Sequence, residues 1–220
     1  MVHDFHTHTL LSDGSLSPME MIRRAMVQGY QTIALTDHVG LGRLEHIIQE
    51  SAKDCSLAQA RWNIIAIPGV ELTHVPASAI DEAARQAKNL GARLVVVHGE
   101  TITEPVEPGT DLAAIQSPYV DILAHPGFIT LEEARLAVEN GTFLEISARK
   151  GHSLTNGHVL RLALQTGARL LVNSDAHEPS DLLTDAFARS VVQGAGLDEH
   201  LLQEVLQDNP LVLLHKLGFF

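Results

Sequence analysis

Seven short runs of apolar, largely β-branched residues punctuate this chain: Val2–His8, Thr32–His38, Asn63–Leu72, Arg93–His98, Val120–His125, Phe143–Ala148 and Arg169–His177. Most are continuous hydrophobics rather than alternating ones. That is the pattern of strands covered on both faces, and so of a parallel sheet. Longer helical stretches fill the gaps, so the chain reads as successive βα units. Right-handed crossovers then leave two architectures, a closed barrel or an open doubly wound sheet. At 220 residues, 1–220 is expected to form one α/β domain.

The helices carry their own punctuation. Ser17-Pro18-Met19-Glu20 is a capping box with proline at the first helical position, and Gly29 closes that helix. Thr130-Leu131-Glu132-Glu133 repeats the box, with Gly141 as its stop. Ser78 reads as the cap of a helix ending at Gly91, and a helix from about Asn156 ends at Gly167. Leu41–Trp62 reads as helical with an interruption, and helices at about Asp181–Gln193 and Asp198–Leu206 finish the chain. Gly99–Thr110, with Pro105 and Pro108, is the one long irregular connection, and its length suits a rim or lid element.

The ends of the runs decide between the two architectures. The first ends in His6-Thr7-His8; residues i and i+2 of a strand share a face, so both imidazoles point into one place. The second ends Thr36-Asp37-His38, the third Gly69-Val70-Glu71, the fourth in His98 and the fifth in His125. The seventh ends Asn173-Ser174-Asp175-Ala176-His177, where Asp175 and His177 again share a face. Asp13, in Ser12-Asp13-Gly14, lies in the turn after the first run. In a β/α barrel every C-terminal strand end meets at one rim, where active sites are built.

Any one of these residues alone would ordinarily be a packing or capping residue, and Asp13 and Asp37 suit turns. Six of seven strand ends bearing imidazole or carboxylate is a different matter, because chance would scatter them over helices and both barrel ends. Imidazole and carboxylate without thiolate suit Zn, Mn or Fe. Six histidines and three carboxylates are too many for one tetrahedral ion. Two or three divalent ions sharing a bridging carboxylate are therefore expected.

Charge narrows the substrate. The chain has 15 Lys+Arg against 27 Asp+Glu, a formal charge of −12, which argues against wrapping a long nucleic acid. Aromatic residues are only 4%, so stacking platforms for single strands are few. No run is long enough to cross a membrane, and the N-terminus has neither the basic start nor the apolar stretch of a signal peptide. A single cysteine, Cys55, fits a reducing compartment, so a cytoplasmic location is expected.

Taken in order, His6-Thr7-His8, Ser12-Asp13-Gly14, Thr36-Asp37-His38, Gly69-Val70-Glu71, His98, His125 and Asp175-Ala176-His177 resemble the successive motifs of the PHP (polymerase and histidinol phosphatase) family. The resemblance spans nearly the whole chain. It implies a distorted (β/α)7 TIM-like barrel with a trinuclear metal centre that hydrolyses phosphoesters. On that pattern His6, His8, Glu71 and Asp175 would hold one ion, and Asp13, His38 and His177 a second. His98, His125 and a bridging Glu71 would hold the third. All nine ligand positions are filled. The expected reaction is in-line attack on phosphorus by a metal-bridging hydroxide, with Asp175 and His177 counted among the catalytic residues.

Ser147-Ala148-Arg149-Lys150-Gly151-His152, after the sixth run, supplies the other candidates. Arg149 and Lys150 could grip a phosphate, and His152 could protonate a leaving group. A small phosphomonoester is the preferred substrate. The alternatives are a PHP-type nuclease or phosphodiesterase, an amidohydrolase- or TatD-like barrel, and a non-catalytic metal-stabilised module. His46, His158, His200 and His215 fall on helices and read as surface or boundary residues; His3 begins a strand and His74 follows Glu71 closely.

Overall fold

The computed structural model describes residues 1–220. Its strands are β1 (Val2–Asp4), β2 (Tyr30–Leu35), β3 (His38–Val39), β4 (Ile65–Leu72), β5 (Leu94–His98), β6 (Ile122–Ala124), β7 (Phe143–Ser147) and β8 (Leu170–Asn173). All pair in parallel, in the order β1-β2-β4-β5-β6-β7-β8, with β3 paired to β4. A bridge between Thr7 and Ala176 brings the two edges together, so the sheet rolls into a nearly closed barrel. Of the two architectures open to the sequence, the barrel is the one formed.

The eight α-helices pack outside it: α1 (Pro18–Val27), α2 (Leu44–Arg61), α3 (Ile80–Asn89), α4 (Thr110–Gln116), α5 (Leu131–Asn140), α6 (Asn156–Thr166), α7 (Asp185–Ala195) and α8 (Asn209–Lys216). Thr130 with Glu133 forms the capping box of α5, as the sequence indicated, whereas at α1 only the Ser17 cap forms and the Glu20 carboxylate pairs with Arg24 instead of closing a box. Gly141 ends α5 at φ 69°, a left-handed position that glycine adopts without steric cost.

Period-two alternation sorts the strand residues. Ala66, Val70, Leu72, Val95, Val97, Leu144, Ile146 and Val172 face the helices in one large apolar cluster. Phe5, Ala34, Ile67, Leu94, Val96, Ile122, Phe143 and Leu171 fill the barrel, together with Leu213, Leu214 and Leu217 from α8 and its end. Helix α8 therefore closes the N-terminal mouth, where Arg93 donates to the Leu217 carbonyl and lies over the Phe219 ring. Burying a side chain such as Phe5 completely stabilises by about 1.5–3 kcal/mol.

Five boundaries differ from the sequence reading. Pairing in the first strand stops at Asp4, so His6-Thr7-His8 lies just beyond β1, held by Thr36 N–H to the Thr7 carbonyl and His8 N–H to the Ala176 carbonyl. The second run is split into β2 and β3 because the Asp37 carboxylate turns to the Thr9 N–H (2.7 Å), the Thr9 hydroxyl (2.8 Å) and the Ser12 hydroxyl (2.6 Å). Asp37 is thus a turn former. The Leu41–Trp62 stretch is one unbroken helix from Leu44 to Arg61 after a short 3₁₀ turn, and Ser78 sits in a 3₁₀ turn before α3 rather than at its cap. The last helix does not stop at Leu206: a π-turn over Glu204–Asp208 carries it into α8. That wider turn accommodates Pro210, whose ring would clash with a carbonyl in a regular helix.

Candidate metal centre

The strand ends deliver their side chains to one basin at the C-terminal rim. Alternation carries Glu71 inward in phase with Ile67, and His98 in phase with Leu94 and Val96. His125 is out of phase, since Ile122 and Ala124 already face inward, but the backbone there adopts φ 27° and turns its ring back in. Asp175 is likewise held at φ 52°. Backbone of this kind costs about 1–3 kcal/mol per residue and concentrates at functional sites. Two glycines permit close approach beside ligand-type residues: a Cβ at Gly14 would collide with the His8 carbonyl, and one at Gly99 with the Ala124 carbonyl.

Three sub-clusters interlock. His6 Nε2 lies 3.2 Å from Glu71 Oε1, and His8 Nε2 3.1 Å from Asp175 Oδ1. His177 Nε2 and His38 Nε2 lie 3.2 and 3.6 Å from Asp13 Oδ1, with the His8 donor beside them. His125 Nε2 lies 3.7 Å from Glu71 Oε1, and the His98, His125 and His152 donors group together. All nine residues selected from the sequence thus meet in one basin. Asp13 is the most exposed of them, at 56% of its side chain.

The donor set fits divalent cations. His6 Nε2, His8 Nε2, His125 Nε2 and Glu71 Oε1 are buried with no hydrogen-bond partner, an arrangement costly unless a further group completes it. Burial pushes His8 down to about 3 and His98 to about 4, so both are neutral and carry lone pairs near pH 7. Burial alone would favour neutral Glu71 and Asp175, but the surrounding imidazoles, His6 foremost, hold both well below the usual carboxylate range. Burial also opposes charge on His6, yet Glu145, Glu71 and Asp175 outweigh it and raise His6 well above its ordinary value. A positive charge is favoured at that point.

A second layer orients these ligands. His6 Nδ1 donates to Glu145 Oε2 at 2.8 Å, and Asn173 Nδ2 donates to the same oxygen at 2.9 Å. His38 Nδ1 contacts the Thr73 hydroxyl at 2.7 Å, and His177 Nδ1 lies 3.0 Å from the Asp175 carbonyl and 2.7 Å from Arg149 Nη1. The carboxylate behind His6 fixes the tautomer that leaves its Nε2 free. His152 Nδ1 lies 3.0 Å from Asp175 Oδ2 and Nε2 3.2 Å from Glu104 Oε1. Neither Glu145 nor Glu104 stands out in the sequence. Glu145 carries a usable signal, an acid inside a buried run and in phase with Phe143; Glu104, in an aperiodic loop, carries none.

Arg149 donates to the Asp175 carbonyl at 3.0 Å and lies alongside the His177 ring. It lines a cavity of about 280 Å³ with Asp13, His38, His74, His98 and His152, and no apolar residue borders it. Lys150 is exposed and does not line that cavity; it borders a neighbouring one of about 370 Å³, which Arg149 also lines, with Ser180, Asp181 and Phe187.

Comparison with known proteins bears on what this basin is. The PHP domain profile matches residues 4–123, more than half of the chain. This chain belongs to the PHP family. Similarity extends over the full length of an uncharacterized protein of Methanocaldococcus jannaschii, 46% identical over 218 residues, covering 99% of this chain and all of that one. A protein named "Probable phosphatase" from Thermoanaerobacter is 30% identical over 224 residues, covering 92% and 89% of the two chains. Among solved structures, a two-domain protein from Bacteroides vulgatus containing a PHP-like metal-dependent phosphoesterase aligns with TM-score 0.52 at 17% identity, over 89% of this chain and 63% of that one. The PHP fold is shared with it. The outlying histidines stay peripheral: His46, His200 and His215 are exposed, and His158 Nε2 meets the Ile129 carbonyl at 2.7 Å. No helix is long and apolar enough to cross a membrane.

Proposed function

We propose that this PHP chain hydrolyses a small phosphomonoester at a centre of up to three divalent ions. The observation that carries the reading is the set of unpartnered buried donors on His6, His8, Glu71 and His125, beside a guanidinium that opens onto a polar cavity. His6, His8, Glu71 and Asp175 would hold one ion, Asp13, His38 and His177 a second, and His98 and His125 with Glu71 a third. Ions held there lower the pKa of bound water and neutralise phosphate charge.

The chain's own residues do the rest. Arg149, anchored through the Asp175 carbonyl, presents a planar donor fork suited to phosphate oxygens. His152 is buried, which opposes its charge, but Asp175 and Glu104 outweigh burial and raise its pKa. A proton on its ring could pass to the leaving oxygen. A cavity of about 280 Å³ without Phe, Tyr, Trp or aliphatic residues in its wall suits a small polar leaving group.

The test is reconstitution of metal-free protein with Mn²⁺, Zn²⁺ or Fe²⁺, followed by assay on p-nitrophenyl phosphate and bis(p-nitrophenyl) phosphate. Turnover of the monoester, abolished by chelation, is expected. Faster turnover of the diester would favour the nuclease reading. A fully metallated protein inert toward both would leave only the non-catalytic module.

A further inference from the structure

The long connection after β5 folds back on itself. Glu100 Oε1 accepts from the Gly109 N–H at 2.8 Å and the Asp111 N–H at 3.1 Å, while the Glu100 N–H donates to Asp111 Oδ1 at 2.8 Å. Within the tip, the Val106 N–H donates to the Glu104 carbonyl at 3.0 Å, and the Thr101 and Thr103 hydroxyls meet at 3.1 Å. Outside it, Glu107 accepts from the Ala77 N–H at 3.0 Å. The loop is pinned at its base and tip, and the side chain it sends into the basin is Glu104.

Glu104 reaches two imidazoles closely, with a third, His74 Nε2, 3.9 Å from Oε2. Oε2 is 3.1 Å from His98 Nε2, and Oε1 is 3.2 Å from His152 Nε2. Ligand atoms about 2.0–2.1 Å from a tetrahedral ion stand about 3.3–3.4 Å from one another. The Glu104–His98 separation matches that spacing, as do His6–Glu71 at 3.2 Å and His8–Asp175 at 3.1 Å. On other rings the orienting hydrogen bonds are shorter, 2.8 Å for His6–Glu145 and 2.7 Å for His38–Thr73, while the His98 ring sets its Nδ1 against the Gly99 carbonyl at 3.2 Å and so turns Nε2 toward Glu104. Beside His98 stands His125, whose buried Nε2 has no partner. The third sub-cluster otherwise has only a share of Glu71 for negative charge, and a divalent ion among neutral imidazoles is better matched by a carboxylate of its own.

From this geometry we infer that Glu104 is a metal ligand delivered by the loop, completing the third site with His98, His125 and Glu71. The inference rests on the metal-centre reading above and adds a tenth ligand to the nine at the strand ends. It gives the Gly99–Thr110 loop a specific role, because the third ion is held partly by the barrel and partly by a side chain that is 40% exposed at the rim.

The experiment compares metal-free wild type, Glu104→Gln, Glu104→Asp and, as a reference, His98→Ala. Each is titrated with Mn²⁺, bound ion is counted by elemental analysis at defined free Mn²⁺, and the absorption of Co²⁺-loaded samples reports coordination. Glu104→Gln is expected to lose one ion per chain, or to weaken the last-filling site at least about tenfold, with the other sites unchanged. It should resemble His98→Ala, and Glu104→Asp should recover part of the loss. If Glu104→Gln matches wild type in ion count, midpoints and Co²⁺ spectrum, the inference is overturned and Glu104 is only a partner of His152. A wild type that binds no ion would instead sink the metal-centre reading itself.

Discussion

Glu145 Oε2 accepts from His6 Nδ1 at 2.8 Å, and neither side chain is exposed at all. A carboxylate behind an imidazole fixes the ring and raises the basicity of its outward nitrogen, and loss of such a partner typically weakens metal binding about 10- to 100-fold. Glu145→Gln should show that loss in competition against a chromophoric chelator. Unchanged affinity would mean that packing alone holds the His6 ring.

Asp175 lies within reach of both His8 and His152. Asp175→Asn and His8→Ala should each remove metal-derived stabilisation of several kcal/mol, about a 10³-fold fall in kcat/KM toward a phosphomonoester. Circular dichroism would establish that the variants fold. An active, metal-depleted variant of either kind would contradict the assignment.

Arg149 is a third exposed and tied to the Asp175 carbonyl, so it can meet a phosphate without reorganising. A hydrogen bond to a charged group contributes about 1.5–3 kcal/mol, so Arg149→Ala should raise KM about 10- to 100-fold. Lys150→Ala should leave KM nearly unchanged, because Lys150 is exposed and does not border the cavity lined by the ligand residues. Equal effects of the two substitutions would mean that the phosphate sits between them.

His3 stands at the opposite end of the barrel, with Nδ1 3.0 Å from the Thr32 hydroxyl. Burial, helped by the N-terminal ammonium group, lowers its pKa from 6.5 to about 4. The folded state then binds fewer protons than the unfolded state between those values, so stability rises with pH across the window and is lost as pH falls through it. His3→Gln should flatten urea midpoints measured from pH 6.5 to pH 4. A slope unchanged by the substitution would place the acid sensitivity elsewhere, in buried imidazoles such as His8.

Much of this site is legible in the sequence because strand ends in a β/α barrel converge whatever their sequence separation, so imidazoles and carboxylates at run ends are read together. His125 shows the limit: its place at a run end is visible, but the φ 27° turn that brings it inward is not. Glu145 lies within a strand rather than at its end, and only its phase with Phe143 marks it as facing inward. Glu104 could not be found, since a loop without period gives no direction to a side chain. Helix α8 escapes a reading by sequence because Pro210 looks like a terminator, and only the π-turn before it keeps the helix going.

The barrel closes where the chain's beginning meets its end. Phe5 N–H donates to Asn173 Oδ1 across 168 positions of sequence, and Thr7 and Ala176 make the one backbone bridge there. His6 and His8 stand on one side of that junction, Asp175 and His177 on the other. Any ion shared across it is a cross-link between the first and last strands, enclosing nearly the whole polypeptide as a disulfide would enclose a long loop. Because such an ion binds the native state far better than the unfolded chain, it raises stability by mass action. Chelation should therefore unfasten the barrel at the same time as it stops the chemistry.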